Sequence, residues 1–346
     1  MKIRNRKIGG DSSCFIIGEI GSNHNKDLDK AYKLIDIAAE AGVNAVKFQT
    51  LKPTDIAKLD TPADEYGKAD FTKNKEYWYE VLQDFVLPFK WHKELFDYVR
   101  SKGLIPLSTP ESLEAVELLE DLEISAYKVA SMDITYIQLL KRIAQTGKPV
   151  ILSSGIADID DIIRAIKVLK ENGTEEIAVL HCVSDYPPKY NYMSLEMISY
   201  YKEVFNIPVG FSDHCEDNLL DGVAVSLGAD IVEKHITLDK NSYGPDHNFA
   251  LEPEELKNLV DTIRKTEKAL PINKKLYKKK EKKKKLFGRS IISTKNKKPG
   301  EIIKKSDIDY KRPGTGIEPI HVDKLIGLTL KKSIEKHHIF SWDDFK

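Results

Sequence analysis

Residues 208–235 read PVGFSDHCEDNLLDGVAVSLGADIVEKH, in which two short apolar runs flank a segment with helical character. His214 and His235 stand where the two runs end. Such a strand–helix–strand unit is typical of a parallel sheet, so both imidazoles should emerge at the same edge. Two imidazoles at one edge can ligate a divalent metal, and two unrelated hydrogen-bonded histidines are the plainer alternative.

The same pattern of apolar run, polar turn and helical stretch recurs along residues 1–270. We predict strands at Phe15–Ile20, Ala45–Thr50, Leu104–Ser108, Ala126–Ala130, Pro149–Ser153, Ile177–Cys182, Pro208–Phe211 and Asp230–His235. Eight strands alternating with helices over about 250 residues indicate an α/β protein with a (β/α)8 TIM barrel. An open doubly wound sheet is the alternative, but the turn Gly18-Glu19-Ile20-Gly21 lacks its glycine-rich phosphate fingerprint.

A lysine-rich stretch separates the predicted barrel from the end of the chain. We predict a catalytic domain at 1–270, a linker at 271–285 and a small domain at 286–346. The like charges of the linker should repel each other and keep it extended and solvated. A nucleic-acid-binding patch is the alternative, but no interleaved aromatic residues support it. About sixty residues are few for independent stability, so the small domain should dock on a larger surface.

Composition excludes several classes of function. The 54 Lys and Arg residues balance 54 Asp and Glu residues, which argues against nucleic acid as a partner. No apolar run reaches the length of about eighteen residues that a membrane span needs, and the basic N-terminus lacks an apolar signal core. The three cysteines, Cys14, Cys182 and Cys215, fit free thiols in a reducing cytoplasm.

Polar residues stand at the carboxyl ends of the predicted strands, where a TIM barrel places its chemistry. They are Glu19, Lys47, Gln49, Thr109, Lys128, Ser131, Asp133, Ser153, Ser184, Tyr186, Ser212 and Glu233. A lysine inside a strand is costly unless it is paired or functional. Lys47 and Lys128, beside several hydroxyl groups, favour an anion site for a phosphate or a carboxylate over a structural ion pair. A Schiff-base lysine is a further alternative.

Several motifs together resemble those of the sialic acid synthase family. They are FIIGEIGSNH at 15–24, VKFQ at 46–49, YKVASMD at 127–133, GFSDH at 210–214 and EKH at 233–235. In addition, YKRPGTG at 310–316 resembles the signature of the antifreeze-like (SAF, β-clip) domain that ends these synthases. The resemblance covers nearly the whole chain. Cys215 stands where threonine is more usual in the family, and Asp133 stands where many bacterial members have glutamate.

This resemblance implies a transferase of the N-acetylneuraminate synthase type that contributes to cell-surface carbohydrate. Such an enzyme condenses phosphoenolpyruvate with an N-acyl amino sugar, such as N-acetylmannosamine, to a nine-carbon 2-keto acid and phosphate. The resemblance further implies Mn²⁺, or else Mg²⁺ or Co²⁺, on His214 and His235. It also implies a homodimer, without nucleic acid or membrane, in which the small domain of one chain covers the barrel of the other.

The resemblance also suggests a role for each candidate residue. The donors to phosphoenolpyruvate would be Lys47, Thr109, Lys128, Ser131, Ser153 and Ser212. Asp133 is the candidate base for the addition of water, Glu19 is placed to hold a sugar hydroxyl, and Glu233 is the third catalytic carboxylate. The remaining substrate-binding candidates are Gln49, Ser184, Tyr186, Asp246 and Arg312. Arg312 would act from the partner chain, near the N-acyl group.

Alternative activities stay open. A legionaminate or pseudaminate synthase would use the same core with a 2,4-diacetamido-trideoxy hexose, and loops such as 61–77 and 187–193 would select the sugar. A 3-deoxy-2-keto acid phosphate synthase should show extra arginines at the barrel mouth, and few stand near the predicted strand ends. A sugar- or ice-binding module without activity would need neither the two lysines nor both histidines.

Overall fold

The computed structural model describes residues 1–66, 69–271 and 275–346, with the backbone alone for 275–278. Its residues form two compact units, Met1–Leu270 and Pro271–Lys346. The predicted sugar-selecting loop 61–77 and the predicted linker 271–285 each include positions outside the described residues. Among the described residues, none of the helices combines the length and the apolar character that crossing a membrane requires.

The larger unit contains a closed barrel of eight parallel strands, β3 to β10, in which β10 pairs with β3. The strands are β3 Phe15–Glu19, β4 Ala45–Thr50, β5 Ile105–Pro110, β6 Tyr127–Val129, β7 Val150–Ser153, β8 Ile177–Cys182, β9 Val209–Asp213 and β10 Ile231–His235. Each corresponds to a strand that the sequence pattern predicts, so the TIM barrel is confirmed. Strand β5 extends beyond its predicted end at Ser108, and that difference matters for the site.

Helices alternate with the strands along the chain. They are α1 Leu28–Ala41, α2 Trp78–Leu82, α3 Phe89–Ser101, α4 Leu113–Asp121, α5 Ile137–Ala144, α6 Ile159–Glu171, α7 Met197–Phe205, α8 Leu219–Ser226 and α9 Pro253–Ala269. In α1, the Asp27 side chain accepts a hydrogen bond from the Lys30 backbone, and Gly42 ends the helix with a φ of 83°. Glycine suits this left-handed conformation because it has no Cβ.

A short hairpin, which the sequence pattern does not predict, precedes the barrel. Its strands are β1 Lys2–Ile3 and β2 Arg6–Lys7, paired antiparallel. Ile3 and Ile8 are buried in one apolar cluster with residues from the amino-terminal parts of the barrel strands. Two-residue strands are too short to show an alternation of apolar and polar residues, so periodicity could not reveal them.

The barrel interior changes from apolar to charged along the strands. The apolar cluster includes Phe15, Ile17, Ala45, Ile105, Leu107, Ala126, Ile151, Ala178, Leu180 and Ile231. Side chains two apart on a strand share a face, so Glu19 continues the inward row of Ile17, and Glu233 continues that of Ile231. This change of character confines the polar chemistry to the carboxyl ends of the strands.

The smaller unit has its own apolar core. Its elements are α10 Lys275–Phe287, β11 Ser290–Ser293, β12 Ile308–Lys311 and α11 Val322–Leu325, with β11 and β12 antiparallel. The core consists of Ile291, Ile303, Ile317, Leu325, Leu330, Ile334, Phe340 and Phe345. Asp307 is fully buried beside this core and pairs with Lys297 at 2.7 Å.

The expectation of an extended lysine-rich linker is wrong for most of its length, because α10 covers Lys275–Phe287. Lysine is a good helix former, and residues 279–287 are exposed, so water and salt screen the repulsion between their charges. Lys284 also forms an ion pair with Glu318 at 2.7 Å. Charge repulsion alone was therefore a poor guide to the local conformation.

Candidate active site

Two buried ion pairs occupy the inward face at the carboxyl ends of the strands. Lys47 Nζ lies 2.9 Å from Glu19 Oε2, and Lys128 Nζ lies 3.1 Å from Glu233 Oε1. Lys47 Nζ also lies 3.8 Å from Glu233 Oε1, which links the pairs. The four side chains are each no more than 5% exposed. The sequence pattern favours an external anion over ion pairing for these lysines, whereas the structure shows both of them paired.

Neighbouring amide and hydroxyl groups join this network. Lys47 Nζ donates to Thr109 Oγ1 at 3.3 Å, and Gln49 Nε2 donates to Glu19 Oε1 at 3.3 Å. Gln49 and Thr109 are register partners on adjacent strands β4 and β5. The strand pleat, and not a loop, therefore positions these donors.

Four hydroxyl groups lie on the following strands or directly after them. Ser212 Oγ donates to Glu233 Oε1 at 3.0 Å, and the hydroxyls of Ser131 and Ser184 are 3.2 Å apart. The buried Ser153 hydroxyl and Glu233 Oε2 have no hydrogen-bond partner within the described part of the chain. Because buried polar groups are normally hydrogen-bonded, these two atoms are free to contact a ligand.

The two glutamates differ in the protonation state that they favour. Burial raises the pKa of Glu19 to about 7, in spite of the nearby Lys47 charge. Burial also disfavours the charge of Glu233, but Lys128 and Lys47 outweigh it and lower the pKa to about 2. Near neutral pH, Glu19 can therefore take up a proton while Glu233 stays ionised. The lysines then carry more positive charge than the glutamates cancel, which suits an anionic ligand.

The predicted metal ligands His214 and His235 lie next to each other, with ring centroids 5.5 Å apart. His214 Nδ1 donates to the Val183 carbonyl at 2.9 Å, which leaves Nε2 as its available nitrogen. Burial lowers the pKa of His214 to about 4 and that of His235 to about 3, so both rings are neutral. Neutral imidazole is the form that binds a metal.

These residues fit a divalent metal held by two protein ligands. His235 Nδ1 is buried and has no hydrogen-bond partner among the described residues, although Asp246 Oδ2 lies 3.8 Å away. No cluster of three or more His, Cys, Asp or Glu side chains in the described ranges is arranged to hold a metal ion. Two histidines would leave the other coordination positions to water and substrate oxygens.

Asp246 and Tyr186 lie beside the histidines. Ser22 Oγ donates to Asp246 Oδ2 at 2.8 Å, which orients that carboxylate. The Tyr186 ring centroid is 4.3 Å from that of His214. Tyr186 is 51% exposed, so part of its surface faces solvent and can contact a ligand. Both residues lie beside the candidate metal ligands, and their role in sugar binding stays a prediction.

Asp133 lies in the short 3-10 helix Ser131–Asp133, which follows β6. Its Oδ2 atom is buried and has no hydrogen-bond partner among the described residues. Burial raises the pKa of Asp133 to about 6. A carboxylate that is free of partners and ionised at neutral pH can accept a proton, which is what a general base must do.

Glu111 is a carboxylate near the site that sequence reasoning missed. Strand β5 runs to Pro110, so Glu111 follows it directly and continues the inward row of Leu107 and Thr109. Burial, and then the charge of Asp133, raise the pKa of Glu111 to about 8. The alternation of inward and outward residues that includes Glu111 was present in the sequence. The predicted strand ended at Ser108, so the alternation was not followed as far as Glu111.

Lys234 also escaped the sequence analysis, and it lies on the outward face of β10. Its Nζ donates to Asp213 Oδ2 at 2.5 Å, to the Cys215 carbonyl at 2.8 Å and to the Asp217 carbonyl at 2.6 Å. The buried ammonium group of Lys234 therefore stabilises the turn that contains His214. Burial raises the pKa of the Cys215 thiol above its usual range, in keeping with a structural thiol.

Arg312 is the one predicted site residue in the smaller unit; the others belong to the larger unit. It follows β12, is exposed, and its guanidinium carbon lies 5.8 Å from the centre of the Phe287 ring. Its role in substrate binding stays a prediction.

Comparison with known proteins agrees with this geometry. The NeuB family model matches residues 34–275, and the SAF domain model matches residues 288–346. N,N'-diacetyllegionaminic acid synthase of Campylobacter jejuni (serotype O:2) is 38% identical, covering 94% of this chain and 98% of the relative. Pseudaminic acid synthase of Campylobacter jejuni (serotype O:23/36) is 33% identical, covering 97% and 98%. The solved N-acetylneuraminic acid synthetase of Leptospira borgpetersenii, in complex with citrate, has a TM-score of 0.71 and 30% identity, covering 82% of this chain and 95% of that chain.

Proposed function

Because this chain belongs to the NeuB family, we propose that it condenses phosphoenolpyruvate with an N-acyl amino sugar such as N-acetylmannosamine. The products are a nine-carbon 2-keto acid and inorganic phosphate, which makes the protein a transferase of the N-acetylneuraminate synthase type. The observation that carries the proposal is the pair of buried lysines beside two neutral histidines at the carboxyl ends of the barrel strands. The two lysines suit an anionic enol phosphate, and the two histidines suit a metal.

Lys47 and Lys128 would bind the phosphate and the carboxylate of phosphoenolpyruvate. When Glu19 takes up a proton, these lysines keep an uncompensated positive charge inside a low-dielectric site, where it attracts an anion strongly. The unpartnered Ser153 hydroxyl and the Thr109 hydroxyl would donate further hydrogen bonds. The ligand thus replaces part of an ion-pair network that already holds the lysines in place.

His214 and His235 would hold the divalent metal, for which we propose Mn²⁺. When bound, the metal would act as a Lewis acid that polarises the aldehyde of the open-chain sugar. Asp246, oriented by Ser22, would hold a hydroxyl of the sugar or a water molecule next to the histidines.

Asp133 would serve as the general base. Carbon 3 of phosphoenolpyruvate bonds to the aldehyde carbon, and water adds to carbon 2. Asp133 Oδ2 takes one proton of that water, and the aldehyde oxygen gains a proton to become a hydroxyl. The new hydroxyl on carbon 2 gives its remaining proton to the departing phosphate as the carbon–oxygen bond to phosphate breaks, which leaves the 2-keto acid. The carboxylate is ionised at neutral pH, because its raised pKa is about 6.

A 2,4-diacetamido-trideoxy hexose of the legionaminate type is the second candidate acceptor. The similarity to the Campylobacter jejuni legionaminic acid synthase, at 38% identity, favours it over the pseudaminate type, at 33%. Both acceptors would use the same lysine and histidine groups.

The test is release of phosphate from phosphoenolpyruvate with each sugar in a panel, with the product identified by mass. The panel contains N-acetylmannosamine, its 6-phosphate and the two diacetamido sugars. Chelation should abolish turnover and added Mn²⁺ should restore it, while electron paramagnetic resonance should show Mn²⁺ binding that His235→Ala loses. Turnover of a sugar phosphate alone would favour a 3-deoxy-2-keto acid phosphate synthase, and no phosphate release with any sugar would contradict the proposal.

We also propose a cytoplasmic homodimer in which Arg312 of one chain reaches the barrel of its partner. Buried, unpaired Cys14, Cys182 and Cys215 support a reducing compartment. The similarity of residues 288–346 to the SAF domain supports a covering role for the smaller unit.

A further inference from the structure

Glu111 follows Leu107 and Thr109 as the next inward-facing residue at the carboxyl end of β5. Lys47 faces Leu107 across the β4–β5 pair, and Gln49 faces Thr109. The Glu111 backbone N–H donates to the Thr50 carbonyl at 3.2 Å, so the pleat still holds at this position. With Leu107 and Thr109 facing inward, Glu111 also faces inward, one step nearer the barrel mouth than Thr109.

The Glu111 carboxylate lies within the electrostatic range of the site. Its charge contributes to the raised pKa of Lys47, and the charge of Asp133 contributes to the raised pKa of Glu111. Glu111 and Asp133 follow the adjacent strands β5 and β6. The two carboxyl groups are therefore near enough for their charges to interact.

The Glu111 carboxyl group has no hydrogen-bond or ion-pair partner among the residues that the structure describes. The neighbouring Asp133 Oδ2 is likewise unpartnered there. Glu111 is only partly buried, so water can hydrogen-bond its carboxyl group in the free protein, and hydroxyl or amide donors of a ligand can replace that water. The carboxyl group is thus open to a ligand that brings such donors.

We propose that Glu111 is a binding residue for the acceptor sugar, and this inference rests on the proposed function. Phosphoenolpyruvate is anionic and belongs with the lysines, whereas the Glu111 carboxyl group offers an anion no positive charge. An uncharged sugar with hydroxyl and amide N–H donors is the substrate that two carboxyl groups at the mouth can hold. Glu111 accordingly contributes to the affinity for the acceptor and not to that for phosphoenolpyruvate.

The experiment compares steady-state constants of the wild type with those of Glu111→Ala and Glu111→Gln, for both substrates. In Glu111→Ala the KM for the sugar should rise roughly ten- to a hundredfold, the effect of losing a hydrogen bond to a carboxyl group. The KM for phosphoenolpyruvate should stay unchanged, since the Glu111 carboxyl group, with its pKa raised to about 8, is largely uncharged at neutral pH and gives the anion no attractive charge. Glu111→Gln keeps an acceptor oxygen and should recover part of the sugar affinity.

Glu114→Gln is the matched control. It makes the same Glu-to-Gln change three residues further on, where Glu114 is 62% exposed and paired with Lys52. This variant should leave both KM values unchanged. Isothermal titration of the folded Glu111→Gln variant with the sugar gives a second readout if Glu111→Ala does not fold.

The possible outcomes separate this inference from the proposed function. A wild type that turns over, together with a Glu111→Ala variant whose sugar KM is unchanged, overturns the role of Glu111 alone. Equal rises in both KM values overturn it as well. A wild type that releases no phosphate with any sugar overturns the proposed function and this inference with it.

Discussion

Lys47 and Lys128 show how a buried charge can be kept ready for a ligand. Each lysine is held by a glutamate on a neighbouring or opposite strand, and the two pairs share Glu233. A single buried lysine without a partner would lose its proton or destabilise the barrel. The glutamates therefore favour the charged form of both lysines, although burial still lowers the pKa of Lys128. Glu19, with a pKa of about 7, is the glutamate that can become neutral.

Lys47→Ala and Lys128→Ala should raise the KM for phosphoenolpyruvate far more than that for the sugar. Loss of one charge-assisted contact costs about 1.5–3 kcal/mol, or about ten- to a hundredfold in KM. Steady-state kinetics with either substrate varied would measure this. Lys52→Ala is the control, because Lys52 is 45% exposed and pairs with Glu114 on the surface. An unchanged KM for phosphoenolpyruvate would refute the assignment, and borohydride trapping of substrate on either lysine would favour Schiff-base chemistry.

Asp133 should set the acid side of the pH–rate profile. Its pKa of about 6 means that the carboxylate takes up a proton as the pH falls through 6, and a protonated carboxyl group cannot act as a base. The turnover number should therefore fall below about pH 6. Asp133→Asn should lose turnover at every pH with little change in the KM for phosphoenolpyruvate, and Asp133→Glu should retain activity. A profile that stays flat to pH 5 would exclude Asp133 as the base.

Strand β10 serves two functions, one on each face. Inward-facing Glu233 and His235 belong to the site, while outward-facing Lys234 binds the turn after β9. The pleat makes this division possible because successive residues point to opposite faces. The position of His214 thus depends on a residue that lies behind the barrel wall.

Lys234→Met should destabilise the protein by about 3–5 kcal/mol, because it leaves the fully buried Asp213 charge without its partner. Urea unfolding of the full chain, followed by circular dichroism, would measure the loss. The comparison is Lys240→Met, which removes a pair with Glu255 whose side chains are 25% and 41% exposed. This surface pair should contribute less than about 1 kcal/mol. Equal losses in the two variants would show that the buried pair has no special role.

The candidate site residues are divided between the two units of the molecule. Every predicted site residue except Arg312 belongs to Met1–Leu270. The smaller unit holds its own core together with the buried pair of Asp307 and Lys297. A unit that folds around its own core can present Arg312 to another chain without losing its structure.

Mixed dimers would test whether Arg312 acts on the partner chain. Arg312→Ala and His235→Ala should each be inactive alone. After subunit exchange, a mixed dimer contains one barrel with intact metal ligands that receives an intact Arg312 from the other chain, so activity should return. Mixing Lys47→Ala with His235→Ala is the control: Lys47 and His235 both belong to the barrel unit, so each barrel in that mixed dimer carries one defect and activity should not return. If mixed Arg312→Ala and His235→Ala dimers form but stay inactive, Arg312 acts within its own chain or is not needed.

The local pattern of apolar and polar residues was sufficient to predict the barrel of this protein. Alternating apolar runs and helical stretches predicted all eight barrel strands, and positions two apart predicted which polar residues face inward, because periodicity depends only on neighbouring residues. The motifs around Glu19, Lys47 and His214 predicted the family, which the NeuB match over residues 34–275 confirms.

The charge state of the site depends instead on contacts between distant parts of the chain. Lys128 pairs with Glu233 across the barrel, and their opposing effects on each other's pKa arise only after both are removed from water. Glu111 lies near the site because β5 keeps its pleat beyond Ser108. The lysine-rich segment is helical because lysine favours the helix and water screens the repulsion between the charges. Desolvation and long-range pairing act in three dimensions, and no local period in the sequence encodes them.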